Sequence, residues 1–229
     1  MKGAVLTIGS LLWETKENAL KEEQGIKRKN WREKLDIGNK IEVKIPIRYG
    51  RKSSSRRCTY TMVFSNSVDS LGTAFLVPYL EDIDNFTQLR KQAVDLAEAE
   101  GISTDKYSNR LIASWGSIGI KFNPNRELQE LSKNWSKEFS NFKNDGYRIG
   151  DELPSITTNG ELNFNIKIPH EIDYVLATPL KPELSEYPTI ERVAQAIQES
   201  DPKYDTYLIE NYNNGIRVER DEELIELIN

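Results

Sequence analysis

Cysteine and histidine are nearly missing from this 229-residue chain, which holds only Cys58 and His170. One cysteine excludes an intramolecular disulfide and a thiolate metal cluster within one chain, and it fits a reducing compartment. One imidazole leaves Ser-His, Cys-His and histidine-metal chemistries a single group to draw on, so acid and base work falls to carboxylates. Long apolar runs are missing as well. Met1 to Ser10 is strand-like but too short for a signal-peptide core or a membrane span, so a cytosolic protein without a membrane partner is expected. Positive charge is in deficit, with 31 Lys and Arg against 36 Asp and Glu. Non-specific nucleic-acid affinity comes from Lys and Arg neutralising phosphates, so the net charge of −5 argues against a bulk nucleic-acid binder. The chain also has no internal repeat and no low-complexity linker.

What is present suffices for a core. Hydrophobic residues make up 38%, including four Trp, ten Tyr and seven Phe, so one domain over 1–229 is expected, with an elaboration at about 103–160. Ala4 to Ile8 reads as a buried strand ending at Gly9-Ser10. Ile41, Val43, Ile45 and Ile47 alternate with polar residues as a second strand, and Pro46 marks an edge or bulge. Cys58 to Phe64 and Gly72 to Val77 follow, giving three successive strands and a meander-like antiparallel sheet. Phe86, Leu89, Ala93, Leu96 and Ala97 recur at helical spacing between an Asn85 N-cap and a Gly101 stop. Leu111 to Phe122 returns to strand character, Asn123-Pro124 opens an amphipathic helix through Phe142, and Leu162 to Ile168 alternates as a strand. After the apolar run Ile172 to Ala177, three short helices close the chain. The fold class expected is α+β, with a mixed or antiparallel, barrel-like sheet and flanking helices.

Two groups of residues carry chemical possibilities. Glu98 and Glu100 both stand near the end of the Phe86 helix. At about 100° per residue Glu100 falls within its apolar stripe, while Glu98 points to solvent. A carboxylate on an apolar face beside the negative end of a helix has its pKa raised, which suits a group that takes and returns a proton. Arg48, Arg51, Lys52, Arg56 and Arg57 form a basic run with Tyr49 and Tyr60. It reads as a solvated hairpin, or as a clamp for an anionic substrate with Arg51 as a binding residue. Cys58 reads as a small core residue, and His170 as an exposed turn residue without a role. Trp115 to Gly119 is a second glycine loop or a place of close strand packing.

Ile8-Gly9-Ser10-Leu11-Leu12-Trp13 directly after a strand, Trp31-Arg32, and Leu71-Gly72-Thr73-Ala74-Phe75-Leu76-Val77-Pro78 resemble, in order, segments of the γ-glutamylcyclotransferase superfamily, its ChaC-like branch in particular. Lys181-Pro182, Val193-Ala194, Tyr207-Leu208 and Gly215-Ile216 extend the resemblance to the other end, while Glu81 to Glu171 shows little of it. The resemblance implies that Gly9, Ser10 and Leu11 bind the α-carboxylate and α-amine of a γ-glutamyl group. It also implies that one glutamate moves a proton as the amine attacks the side-chain carbonyl and 5-oxoproline leaves. No cofactor and no metal is implied. The tyrosine expected before the glycine is Ile8 here.

The expectation is therefore a cyclotransferase-like enzyme acting on a small γ-glutamyl compound, with Glu100 as acid/base and Ile8, Gly9, Ser10, Leu11 and Arg51 at the substrate. Two other readings stand beside it. One is a non-catalytic binder or sensor of a small anionic molecule in the same cavity, and the other is an adaptor working through Arg48 to Arg57.

Overall fold

A computed structural model describes residues 1–229. The first strand, β1 (Gly3–Thr7), is buried along its whole length because it is the middle strand of a sheet covered on both faces. Two of its neighbours in sequence are α1 (Glu22–Arg32) and β2 (Ile41–Ile45), followed by β3 (Ile47–Ser53), β4 (Thr59–Phe64) and β5 (Gly72–Pro78). Helix α2 (Phe86–Glu100), β6 (Gly119–Phe122), α3 (Gln129–Glu138) and β7 (Tyr174–Ala177) come next. Helices α4 (Ile190–Gln198), α5 (Thr206–Asn213) and α6 (Asp221–Ile228) end the chain. The five-stranded sheet has the order β2-β5-β1-β7-β6, with β1 antiparallel to β5 and parallel to β7. β3 and β4 form a separate hairpin.

The fold is mixed α+β, and the expected barrel-like closure is not found. The sheet is open, and β2 and β6 are its edges. The meander is also corrected, because β2 pairs with β5 while β3 pairs with β4. Pro46, lacking an N–H, cannot continue a ladder, so the chain leaves one sheet there and enters the other. Leu162 to Ile168 forms no strand, although its burial alternates. Only isolated bridges such as Ile156↔Leu162 touch it, and Phe164 is buried by stacking on Phe64 at 4.6 Å between centroids. The strand expected from Leu111 begins only at Gly119. The helix expected from Pro124 begins at Gln129, because Asn123 spends its side chain on turn contacts to the carbonyls of Pro169 and Ile172.

Residues between α2 and β7 are mainly irregular, yet Trp135 is fully buried and its Nε1 donates to the Gly160 carbonyl. The hydrophobic core runs without a break from Ala4 through Trp135 to Leu224, so the middle segment shares its interior with both ends. No helix is long and apolar enough to cross a membrane.

Candidate functional site

The end of α2 is fixed by purely local chemistry. The Asn85 side chain accepts a hydrogen bond from the Gln88 N–H at one end. At the other, Gly101 takes φ +84°, a left-handed conformation that glycine adopts without steric cost, and its N–H closes onto the Ala97 and Glu98 carbonyls. The stripe Leu89, Ala93, Leu96 and Ala97 is buried, Glu98 is exposed, and Glu100 turns inward with its side chain only 17% exposed.

Helix α1 packs against that end. Arg28 on α1 donates from Nε to the Ala99 carbonyl at 3.1 Å, which places a cation against the negative end of α2. The same guanidinium donates from Nη2 to Glu100 Oε2 at 2.9 Å, and from Nη1 to Ser10 Oγ at 2.6 Å and to the Glu14 carboxylate. One arginine thus ties the α2 terminus to the loop after β1.

That loop is a single helical turn. Leu12 N–H bonds the Gly9 carbonyl and Glu14 N–H the Ser10 carbonyl, while the N–H groups of Gly9, Ser10 and Leu11 donate to no protein acceptor. Arg32 pins the turn from outside through the Leu11 and Glu14 carbonyls, and Trp13 Nε1 donates to Asn211 Oδ1 on α5 at 2.7 Å. Gly9 is required by a close approach, because a Cβ there would stand 2.7 Å from the Tyr207 hydroxyl oxygen. Tyr207, also on α5, accepts from the Met62 N–H at 3.2 Å.

From the hairpin, Arg56 reaches the same turn. It donates to Glu14 Oε1 at 3.0 Å and to Ser10 Oγ at 2.6 Å, and is buried to 8% exposure. Burial works against its charge, but Glu14 overcomes this and keeps Arg56 above the ordinary arginine pKa. Burial pushes the Glu100 carboxyl above the usual carboxylate range, against the pull of Arg28 and Arg56. Glu100 Oε2 is held by Arg28, and Oε1 accepts no hydrogen bond from the protein.

These groups line one cavity of about 450 Å³. Ile8, Gly9, Ser10, Leu11, Arg51 and Glu100 all face it. Arg56 of the basic run and Trp115 of the second glycine loop face it too, as do Glu14, Arg28, Thr178 and Tyr207, to which sequence gave no site role. Its cationic lining residues are Lys21, Arg28, Arg51 and Arg56, against the carboxylates Glu14 and Glu100. A chain of net charge −5 therefore carries a cavity with surplus positive charge.

The basic run is not a uniformly solvated hairpin. Arg56 is buried, and Arg48 lies over the Tyr187 ring at 4.1 Å. Cys58 is exposed rather than in the core. Arg57 and Cys58, at φ +54° and +61°, make the sharp entry into β4 and turn the thiol outward. His170 is exposed, and no group of three or more His, Cys, Asp or Glu side chains is arranged to hold a metal ion.

Fold and site together define an α+β protein with an arginine-braced cavity of surplus positive charge and one half-buried carboxylate, Glu100, that keeps an open oxygen. No family model, curated protein or solved structure matches the chain.

Proposed function

We propose that the chain is a γ-glutamylcyclotransferase-like enzyme that releases 5-oxoproline from a small γ-glutamyl compound. The observation that carries this reading is the meeting, in one cavity, of three unspent backbone N–H groups at Gly9, Ser10 and Leu11 with the open Oε1 of Glu100. The N–H groups suit the α-carboxylate of the γ-glutamyl moiety. Glu100, oriented by Arg28 on its Oε2, takes a proton in its ionised form from the α-amine as the amine nitrogen attacks the γ-carbonyl carbon. A C–N bond forms within the substrate and the bond to the leaving nitrogen breaks. Glu100 then returns the proton to that nitrogen, giving 5-oxoproline and a free amine. Nucleophile and electrophile belong to one molecule, so positioning supplies much of the rate.

A second reading is favoured by Glu14. Its carboxylate already occupies Arg28 and Arg56, which fits a site that holds a small anion on backbone N–H groups alone without turning it over.

The test is 5-oxoproline release by wild-type protein from a panel of γ-glutamyl peptides and amines. The enzyme reading expects release, with kcat/KM rising with pH as Glu100 loses its proton, at a midpoint above the ordinary glutamate value of 4.5. Binding of these compounds without any 5-oxoproline gives the cavity to the non-catalytic reading.

A further inference from the structure

We propose that the outer edge of β2 pairs antiparallel with the same edge of a second copy of this chain, about a twofold axis at Val43. Two five-stranded sheets then join into one continuous sheet.

The direction of the backbone groups in β2 follows from its neighbour. Lys44 stands opposite Thr73 of β5, yet the Thr73 N–H and carbonyl both bond Arg217, on the side away from β2. Lys44↔Thr73 is therefore a non-hydrogen-bonded pair, and the N–H and carbonyl of Lys44 turn outward from the sheet. With a period of two those of Glu42 do the same, while Ile41, Val43 and Ile45 spend theirs on β5. β2 is the last strand on its side, and the four outward groups have no partner in the protein.

Charge protects such an edge from indiscriminate pairing, and here it selects one register. The strand reads Ile41-Glu42-Val43-Lys44-Ile45. Paired with itself about Val43, it sets Glu42 opposite Lys44 of the second copy and Lys44 opposite Glu42 of the second copy. Each of these pairs exchanges both backbone hydrogen bonds. Shifted by two residues either way, Glu42 faces Glu42 or Lys44 faces Lys44, and like charges directly opposite are destabilising. A shift by one sets an outward-turned residue against an inward-turned one.

The side chains are placed for this register. Lys44 and Glu42 are 58% and 59% exposed and stand 3.6 Å apart on one face, so pairing gathers them into a cluster of four alternating charges. On the other face the half-buried Ile41 comes opposite Ile45 of the second copy. Pro46 ends the ladder, because it has no N–H and its carbonyl already accepts from the Ser65 N–H at 3.0 Å. So short a contact belongs to the class below ~1,200 Å², which associates weakly and reversibly. No residue lining the cavity of Glu100 lies on β2, so this proposal and the cyclotransferase reading fail separately.

Sedimentation equilibrium to about 1 mM protein reaches dissociation constants of the millimolar class. Wild type is expected to show a reversible monomer–dimer equilibrium that weakens with added salt. Glu42→Lys and Lys44→Glu each set four like charges across the axis and should weaken the dimer roughly tenfold or more. The double variant Glu42→Lys/Lys44→Glu restores opposite charges and should dimerise as wild type does. An equimolar mixture of the two single variants, one edge basic and the other acidic, should form a heterodimer. Amide exchange followed by NMR reads the strand pairing itself. The Glu42 and Lys44 amides should slow as concentration rises, while those of Ile41, Val43 and Ile45 are protected throughout. A monomer at about 1 mM, or a dimer whose Glu42 and Lys44 amides still exchange as in the monomer, overturns the proposal. So does a dimer indifferent to the single substitutions, or one that neither the double variant nor the mixture restores.

Discussion

Arg51 and Arg56 lie five residues apart on one hairpin and face one cavity, yet they do opposite work. Arg56 is buried, with Glu14, Ser10 and the Tyr204 hydroxyl taking three of its five N–H donors. Arg51 engages only its Nη1, on the Lys181 carbonyl and Glu183, and its Nε and Nη2 have no acceptor in the protein. The difference lies in the partner supplied from elsewhere in the chain. Glu14 arrives on the turn after β1 and neutralises Arg56, whereas the only carboxylate at Arg51 is Glu183, whose side chain is 52% exposed. A cationic lining residue alone does not mark a ligand contact, and its unspent donors are the better guide.

The comparison breaks most visibly at Glu14. Glu14→Ala leaves two buried guanidiniums short of a counter-charge, and removing one partner of a buried ion pair costs about 3–5 kcal/mol. Urea unfolding should show a loss of that order, and a loss below about 1 kcal/mol would mean the cluster does not brace the turn. A smaller effect is expected at Gly9→Ala, where the new Cβ meets the Tyr207 hydroxyl and overpacking costs about 1–3 kcal/mol. In a Tyr207→Phe background the same substitution should cost less, since the atom it meets is gone. Equal costs in the two backgrounds would place the need for glycine elsewhere. The smallest effect belongs to Arg51→Met, which should change stability by less than about 1 kcal/mol, because its ion pair involves an exposed partner. A loss as large as that at Glu14 would make Arg51 a brace like Arg56.

Sequence disclosed what short-range physics decides. Helix α2 could be read from its period, Asn85 and Gly101, and with it the inward turn of Glu100 and the outward turn of Glu98. The strand and turn through Gly9-Ser10 were legible for the same reason. Glu14 and Arg28 were not, because residues so far apart in the chain gather only in the fold and a lone charge reads as solvated, and Arg56 could be read only as one member of a basic run. Alternation from Leu162 to Ile168 correctly reported one buried face, but the stretch meets the free edge of β6 only at its start, through the Ile120↔Glu161 bridge and the Leu162 N–H on the Ile120 carbonyl, and no ladder continues from there. Tyr207 was part of the resemblance, yet its hydroxyl could not be assigned to the cavity until α5 was seen against Gly9.

The central claim is that Glu100 moves the proton in this cavity, and its most direct measurement is the rate of 5-oxoproline release by Glu100→Gln beside Glu98→Gln. The two residues share a helix, so a difference between them reports orientation and chemistry rather than helix stability. Glu100→Gln should lose roughly a hundredfold or more in kcat while still binding the γ-glutamyl compound, and Glu98→Gln should match wild type. Unchanged turnover in Glu100→Gln, or an equal loss in both variants, would contradict the assignment.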